Sequence, residues 1–215
     1  MKAISEALSA YLHKEYGGAA CTLDFSTDFE CLVAIVLSAQ TTDASVNRVT
    51  PALFSAYPTP NDLAEAPLED VEDKIKSLGL YRAKARNIVA LSKDLVSRFG
   101  GSVPHDRAAL ESLPGVGKKT AGVFLIERCG VPALPVDTHV KRVATRLSLA
   151  KPSDAPEDVE RKLEKEFPKE DWAFLHHALI AFGRSTCLAK KPRCGSCGLS
   201  SVCPYFKRNS STKGM

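Results

Sequence analysis

Apolar residues recur along most of this chain at the three-to-four-residue interval of a helix, and almost nowhere in the strict alternation of a half-buried strand. Ile4, Leu8, Tyr11 and Leu12 mark a first amphipathic helix that ends near Gly17-Gly18. Residues 28–40, DFECLVAIVLSAQ, are apolar nearly all round. β-Branched residues would suit a strand there, but the length predicts a central buried helix. Shorter helices are predicted over 44–57 and 67–78. Over 82–99, Ile88, Leu91, Leu95 and Phe99 share one face of a longer helix. Residues 106–113 lead into a glycine turn, and Asp154-x-x-Glu157 reads as a capping box opening another helix. Trp172, Leu175, Leu179 and Phe182 form the stripe of the last long helix, and residues 207–215 read as a disordered tail. The fold class is all-α.

Composition changes this picture little. The chain has 215 residues, enough to bury a core in one large domain or two small ones, and 44% of them are hydrophobic. No apolar run is long enough for a membrane span, and the first sixteen residues lack the apolar centre of a secretory signal, so the expectation is an intracellular protein. Charge is more telling. The net value is only +4, yet residues 1–105 hold ten Lys/Arg against thirteen Asp/Glu, while residues 106–215 hold nineteen against twelve. That asymmetry suits a polyanionic partner.

The most distinctive stretch is 113–147, LPGVGKKTAGVFLIERCGVPALPVDTHVKRVATRL. Pro114 ends the preceding helix. Gly115 and Gly117, on either side of Val116, are expected to permit positive φ and to keep side chains off the backbone. The helix beginning at Lys118 then offers unpaired N–H groups and a positive dipole end, a seat for phosphate. A plain turn between packed helices accounts for the same glycines. Asp137 opens a second helix whose Val140, Val143, Ala144 and Leu147 make an apolar face. Capping alone would justify an aspartate there.

Cys187, Cys194, Cys197 and Cys203 fall within seventeen residues, spaced x6, x2, x5. Four thiolates so close in an intracellular chain argue for a metal rather than disulfides. Zinc ribbons usually use two CxxC pairs, and this loop has one, so spacing alone leaves zinc open while leaning toward an iron–sulfur cluster. Cys21, Cys31 and Cys129 share no such spacing and read as core thiols.

A GVGKKTA turn followed by VDTH, and then by this four-cysteine loop, resembles the endonuclease III family of helix-hairpin-helix DNA glycosylases. The resemblance runs from about Leu8 to Phe206. It implies a six-helix barrel domain over 23–133, and an iron–sulfur domain from 1–22 and 134–215, with a cleft between them. It implies Lys119 as nucleophile, Asp137 as catalytic carboxylate and the four cysteines as ligands of a [4Fe–4S] cluster. By the same resemblance Gln40 and Leu80 fill the gap left by an extruded base, and Ser38 and Asp43 line the pocket. Gly115, Val116, Gly117, His139, Lys190 and Lys191 would contact DNA. Taken alone, Leu80 reads as buried in a corner between helices.

The implied activity is base-excision repair: release of oxidised pyrimidines from double-stranded DNA, then cleavage of the abasic strand through a Schiff base. A monomer in the cytoplasm, associated with the nucleoid and not with a membrane, goes with it. Two positions depart from the family pattern. Gly122 stands where an asparagine is common, and Lys141 where a bulky apolar residue is. The rivals are a hydrolytic mismatch glycosylase, against which Ile35 replaces the expected glutamate, and a helix-hairpin-helix binding protein without catalysis.

Overall fold

The computed structural model describes residues 2–211, and among them there is no strand. The helices are α1 (Lys2–Tyr16), α2 (Asp28–Leu37), α3 (Asp43–Ala56), α4 (Pro60–Glu65), α5 (Leu68–Ile75), α6 (Tyr81–Phe99), α7 (Arg107–Glu111), α8 (Lys118–Cys129), α9 (Thr138–Arg146), α10 (Pro156–Glu166), α11 (Trp172–Ser185) and α12 (Pro204–Ser211). The chain divides into two compact units, Thr22–Val131 and Met1–Cys21 with Pro132–Met215.

The Thr22–Val131 unit is built around α2. Phe29 and every residue from Cys31 to Leu37 are buried there, which is why its sequence is apolar on all sides. Its start is fixed by a capping box in which Glu30 N donates to Thr27 Oγ1 at 3.1 Å and Thr27 N donates to Glu30 Oε2 at 3.3 Å. Helices α3, α6 and α8 pack against α2, while α4 and α5 lie on α6 and α7 on α8. Asp28, in the first turn of α2, accepts from His105 Nε2 at 2.7 Å and Arg128 Nε at 2.5 Å. Burial works against its charge, but these two bonds outweigh it and hold the carboxyl below the usual range.

In the other unit α9 and α11 form the centre, with α1 on α11 and α10 on α9. Leu8, Leu12, Val140, Val143, Leu175 and Leu179 are buried together. A Cβ on Gly183 would lie 2.9 Å from His139 Cβ, so this glycine sets how closely α11 approaches α9. Gly198 does the same between the cysteine loop and α1, because a Cβ there would lie 2.7 Å from the Tyr11 ring.

Three expectations from the pattern need correction. A helix, α4, falls between the predicted 44–57 and 67–78, started by a second capping box from Thr59 and Asp62. No capping box forms from Asp154 and Glu157: the N-cap is Ala155, because Pro156 takes the first helical position, and Asp154 instead accepts from Lys151 N at 2.7 Å and Lys162 Nζ at 2.5 Å. Residues 207–211, expected to be disordered, belong to α12, which packs the Tyr205 ring under Arg146 with the guanidinium carbon 4.5 Å from the ring centre. Residues 212–215 of the expected tail lie outside the described residues. No helix among the described residues is long and apolar enough to cross a membrane.

Candidate active site

The turn joining α7 to α8 is closed by Val116 N donating to Leu113 O at 3.1 Å, and both side chains are buried. Val116 can therefore present only its backbone to a ligand. Gly115 has φ +77°, and a Cβ on it would lie 3.0 Å from Asn87 Cβ on α6, so both conformation and space demand glycine. Gly117 differs from the expectation: its φ is −96°, ordinary extended backbone, and a Cβ would meet nothing within 4 Å. Its bareness leaves the N-terminal amides of α8 open to approach, with no strain to relieve. Lys119, one residue into that helix, is exposed.

Asp137 caps α9. Its Oδ1 accepts from the amides of His139 and Val140, both at 2.8 Å, so the carboxylate is fixed by the helix it opens. The approach to Asp137 is held as well: His176, buried on α11, donates from Nδ1 to Pro135 O at 2.8 Å. His139 is half-buried, and Arg142 Nη2 donates to its Nδ1 at 3.1 Å. Burial first, then the nearby Arg142 and Arg184 charges, push its pKa below the usual histidine value despite Asp137. The departure at Lys141 has a local cause, since its Nζ donates to Asp154 O at 2.6 Å. Lys119 and Asp137 belong to different compact units.

Four non-glycine residues have positive φ among the described ones: Gln40 (54°), Leu80 (59°), Ser148 (60°) and Lys191 (48°). Three of the four are candidate DNA contacts, and strain of this kind gathers at functional positions. Leu80 is 64% exposed, the reverse of a corner residue. Gln40, Lys190 and Lys191 are exposed too. The two candidate pocket residues are already engaged: Ser38 Oγ donates to Ile35 O at 2.8 Å, and Asp43 Oδ2 accepts from Thr22 Oγ1 at 2.6 Å.

Cys187, Cys194, Cys197 and Cys203 line one cavity, with Arg146 and Tyr205 at its wall. Burial, and then the mutual repulsion of their charges, raises the pKa of Cys194; burial likewise raises that of Cys197. Thiols in such a setting are stable as anions only when a cation joins them. Among the described residues no three His, Cys, Asp or Glu side chains converge as ligands of a single metal ion. Tetrahedral zinc would need its thiolates about 3.8 Å apart, whereas a cubane takes one thiolate at each iron of a wider body. Four cysteine thiols around one cavity are the donor set that a four-iron cubane takes. Arg146 anchors the start of the loop, Nη1 donating to Cys187 Sγ at 3.3 Å and Leu188 O at 2.7 Å, and Arg142 Nε donates to Cys187 O at 3.1 Å.

Residues 33–169 match the model of the HhH-GPD superfamily base excision DNA repair proteins. Endonuclease III of Bacillus subtilis (strain 168) is 52% identical over 185 residues, covering 86% of this chain and 84% of that protein. The chain belongs to the endonuclease III family. A solved non-covalent endonuclease III–DNA complex is similar to it over 98% of this chain and 99% of that one, with a TM-score of 0.94 and 45% identity. A trapped endonuclease III–DNA covalent intermediate, an estranged-adenine complex, is similar over 96% and 98%, with a TM-score of 0.91 and 46% identity.

Some polar residues of this endonuclease III family chain carry roles that their sequence context barely signals. Lys84 lies one helical repeat before Ile88, on the apolar stripe of α6, and a cation on such a stripe is itself a signal. His176 and the α9 arginines gave none, since what they do depends on a carbonyl brought near only by folding.

Proposed function

We propose that this chain is a bifunctional DNA glycosylase and abasic-site lyase of base excision repair, acting on oxidised pyrimidines in double-stranded DNA. The observation that carries the reading is an exposed lysine, Lys119, one residue inside a helix whose N-terminus is bare at Gly117. The open amides of α8 take a phosphate of the damaged strand, and a base leaves the stack because its glycosidic bond is out of reach inside the duplex. Leu80 and Gln40 occupy the space it vacates.

The free amine of Lys119 attacks C1′ of the sugar. The N–C1′ bond forms as the glycosidic bond breaks, and the base departs with the electron pair and is protonated. Asp137, its Oδ1 held by two amides, uses its other oxygen to take the lysine proton or to stabilise positive charge on the opening sugar. The ring opens to a Schiff base on Lys119. Loss of a proton from C2′ then breaks the C3′–O bond and releases the 3′ phosphate, nicking the strand.

Cys187, Cys194, Cys197 and Cys203 would hold a [4Fe–4S] cluster, which when bound would supply four iron–thiolate links bracing a loop with little apolar content. The loop carries Lys190 and Lys191 to phosphates, while Gly115, Val116 and His139 contribute contacts near the strand. In this reading Thr22–Val131 is the barrel domain and the rest the iron–sulfur domain, and a monomer works on DNA in the cytoplasm, at the nucleoid. Incubation with duplexes containing thymine glycol, dihydrouracil or an abasic site tests it. Free base and a strand break are expected from the first two and a break from the third; intact strands throughout would refute the activity.

A further inference from the structure

Lys84 is 5% exposed, and its amine has one polar partner among the described residues, the Thr41 hydroxyl to which it donates. As a stability device this is a poor choice. A buried ammonium held by one neutral hydroxyl, in the first turn of a helix where the dipole is unfavourable to a cation, costs more than an apolar side chain would. Burial lowers its pKa, in keeping with that cost.

The bond joins the two segments that carry Gln40 and Leu80. In one, Thr41 N donates to Ser38 O at 3.0 Å, and Gln40 sits at φ 54° with its side chain exposed. In the other, Leu78 N donates to Ile75 O at 2.9 Å, and Leu80 sits at φ 59° just before α6, with Lys84 N donating to its carbonyl at 3.0 Å. Neither Gln40 nor Leu80 is held by packing around its side chain, so their mutual placement depends on the backbones beneath them. Lys84 is bonded to both turns, through its own amide to Leu80 and through its amine to Thr41.

We infer that Lys84 is a positioning residue: its buried ammonium ties the turn bearing Gln40 to the turn bearing Leu80, so that the two side chains enter a damaged duplex as one rigid wedge. The inference rests on the gap-filling roles proposed above. It makes Lys84 and Thr41 act on damage recognition through the placement of Gln40 and Leu80, and leaves ordinary duplex binding to other groups.

The test uses the full-length, cluster-loaded protein and two duplexes: one with a stable tetrahydrofuran abasic analogue opposite 2-aminopurine, one undamaged. The readouts are affinity for each duplex and 2-aminopurine fluorescence, which rises when the opposite base is displaced. Lys84→Met and Thr41→Val should each lower the preference for the abasic duplex by roughly tenfold and reduce the fluorescence rise, with affinity for the undamaged duplex unchanged. The double variant should be no worse than either single one, because both remove the same bond. Thr41→Ser, which keeps the hydroxyl, should restore the preference. If Lys84→Met does not fold, Thr41→Val tests the same bond from its other end. Wild-type preference in either folded variant, additive losses in the double variant, or failure of Thr41→Ser to restore it overturns the inference. Absence of any abasic preference in the wild-type protein overturns the gap-filling reading as well.

Discussion

A Cβ on Gly115 would fall 3.0 Å from the Cβ of Asn87, whereas one on Gly117 would meet nothing within 4 Å. Two glycines two positions apart in the same turn therefore serve different ends. Gly115→Ala forces a side chain into left-handed backbone and against α6, and should cost about 1–3 kcal/mol of stability. Gly117→Ala should melt like the wild type and lose DNA affinity, because its methyl group stands where a phosphate would approach. Thermal melts paired with binding titrations separate the two. Equal stability losses would show that the turn is structural at both positions.

Leu80 combines 64% exposure with φ 59°, a conformation that asparagine tolerates far better. Leu80→Asn should raise stability by about 1 kcal/mol through relief of that strain, while depressing cleavage of damaged duplex. A variant that is both less stable and fully active would remove the case for a strained, DNA-facing leucine.

Much of the fold is legible in the pattern, and the exceptions have physical reasons. The helices with long stripes, α2, α6 and α11, are plain because burial on one face repeats over several turns. The short α4 has too few turns to show a period, and its signal is the Thr59–Asp62 cap. At α10 the capping motif points one residue early, because Pro156 at the first helical position outweighs an aspartate two residues before it. Gly183 and Gly198 make sense only once His139 and Tyr11 are seen to press on them from distant helices. Among the candidate DNA contacts, Gln40 and Leu80 rest on resemblance in the sequence and Lys191 on the basic run of its loop, and their shared positive φ is visible only in the folded chain.

His139 gives a pH dependence. Its folded pKa lies below the ordinary 6.5, chiefly through burial. The unfolded chain therefore binds the proton more readily, and the stability His139 contributes is fully present above pH 6.5 and is lost as pH falls through the folded value. Urea midpoints of wild type and His139→Gln between pH 5 and 7.5 should diverge in that sense, the wild type losing ground toward acid. A wild type that gains on the variant as pH falls contradicts the neutral, Arg142-bonded imidazole.

The cysteine cavity predicts a brown protein with about four irons per chain. Replacing Cys197 with serine should lower that ratio and release the loop anchored by Arg146, detectable as faster proteolysis near Lys190. Stoichiometric zinc in protein prepared without oxygen would contradict the cluster.

Borohydride trapping during turnover tests the central claim most directly, since it reduces a Schiff base to a permanent bond between protein and damaged DNA. Wild type and Lys118→Gln should both give the adduct; Lys119→Gln, which keeps a polar side chain one atom shorter but removes the amine, should give none while still binding the duplex. An adduct that survives Lys119→Gln, or disappears with Lys118→Gln alone, would contradict the assignment of Lys119 as the nucleophile.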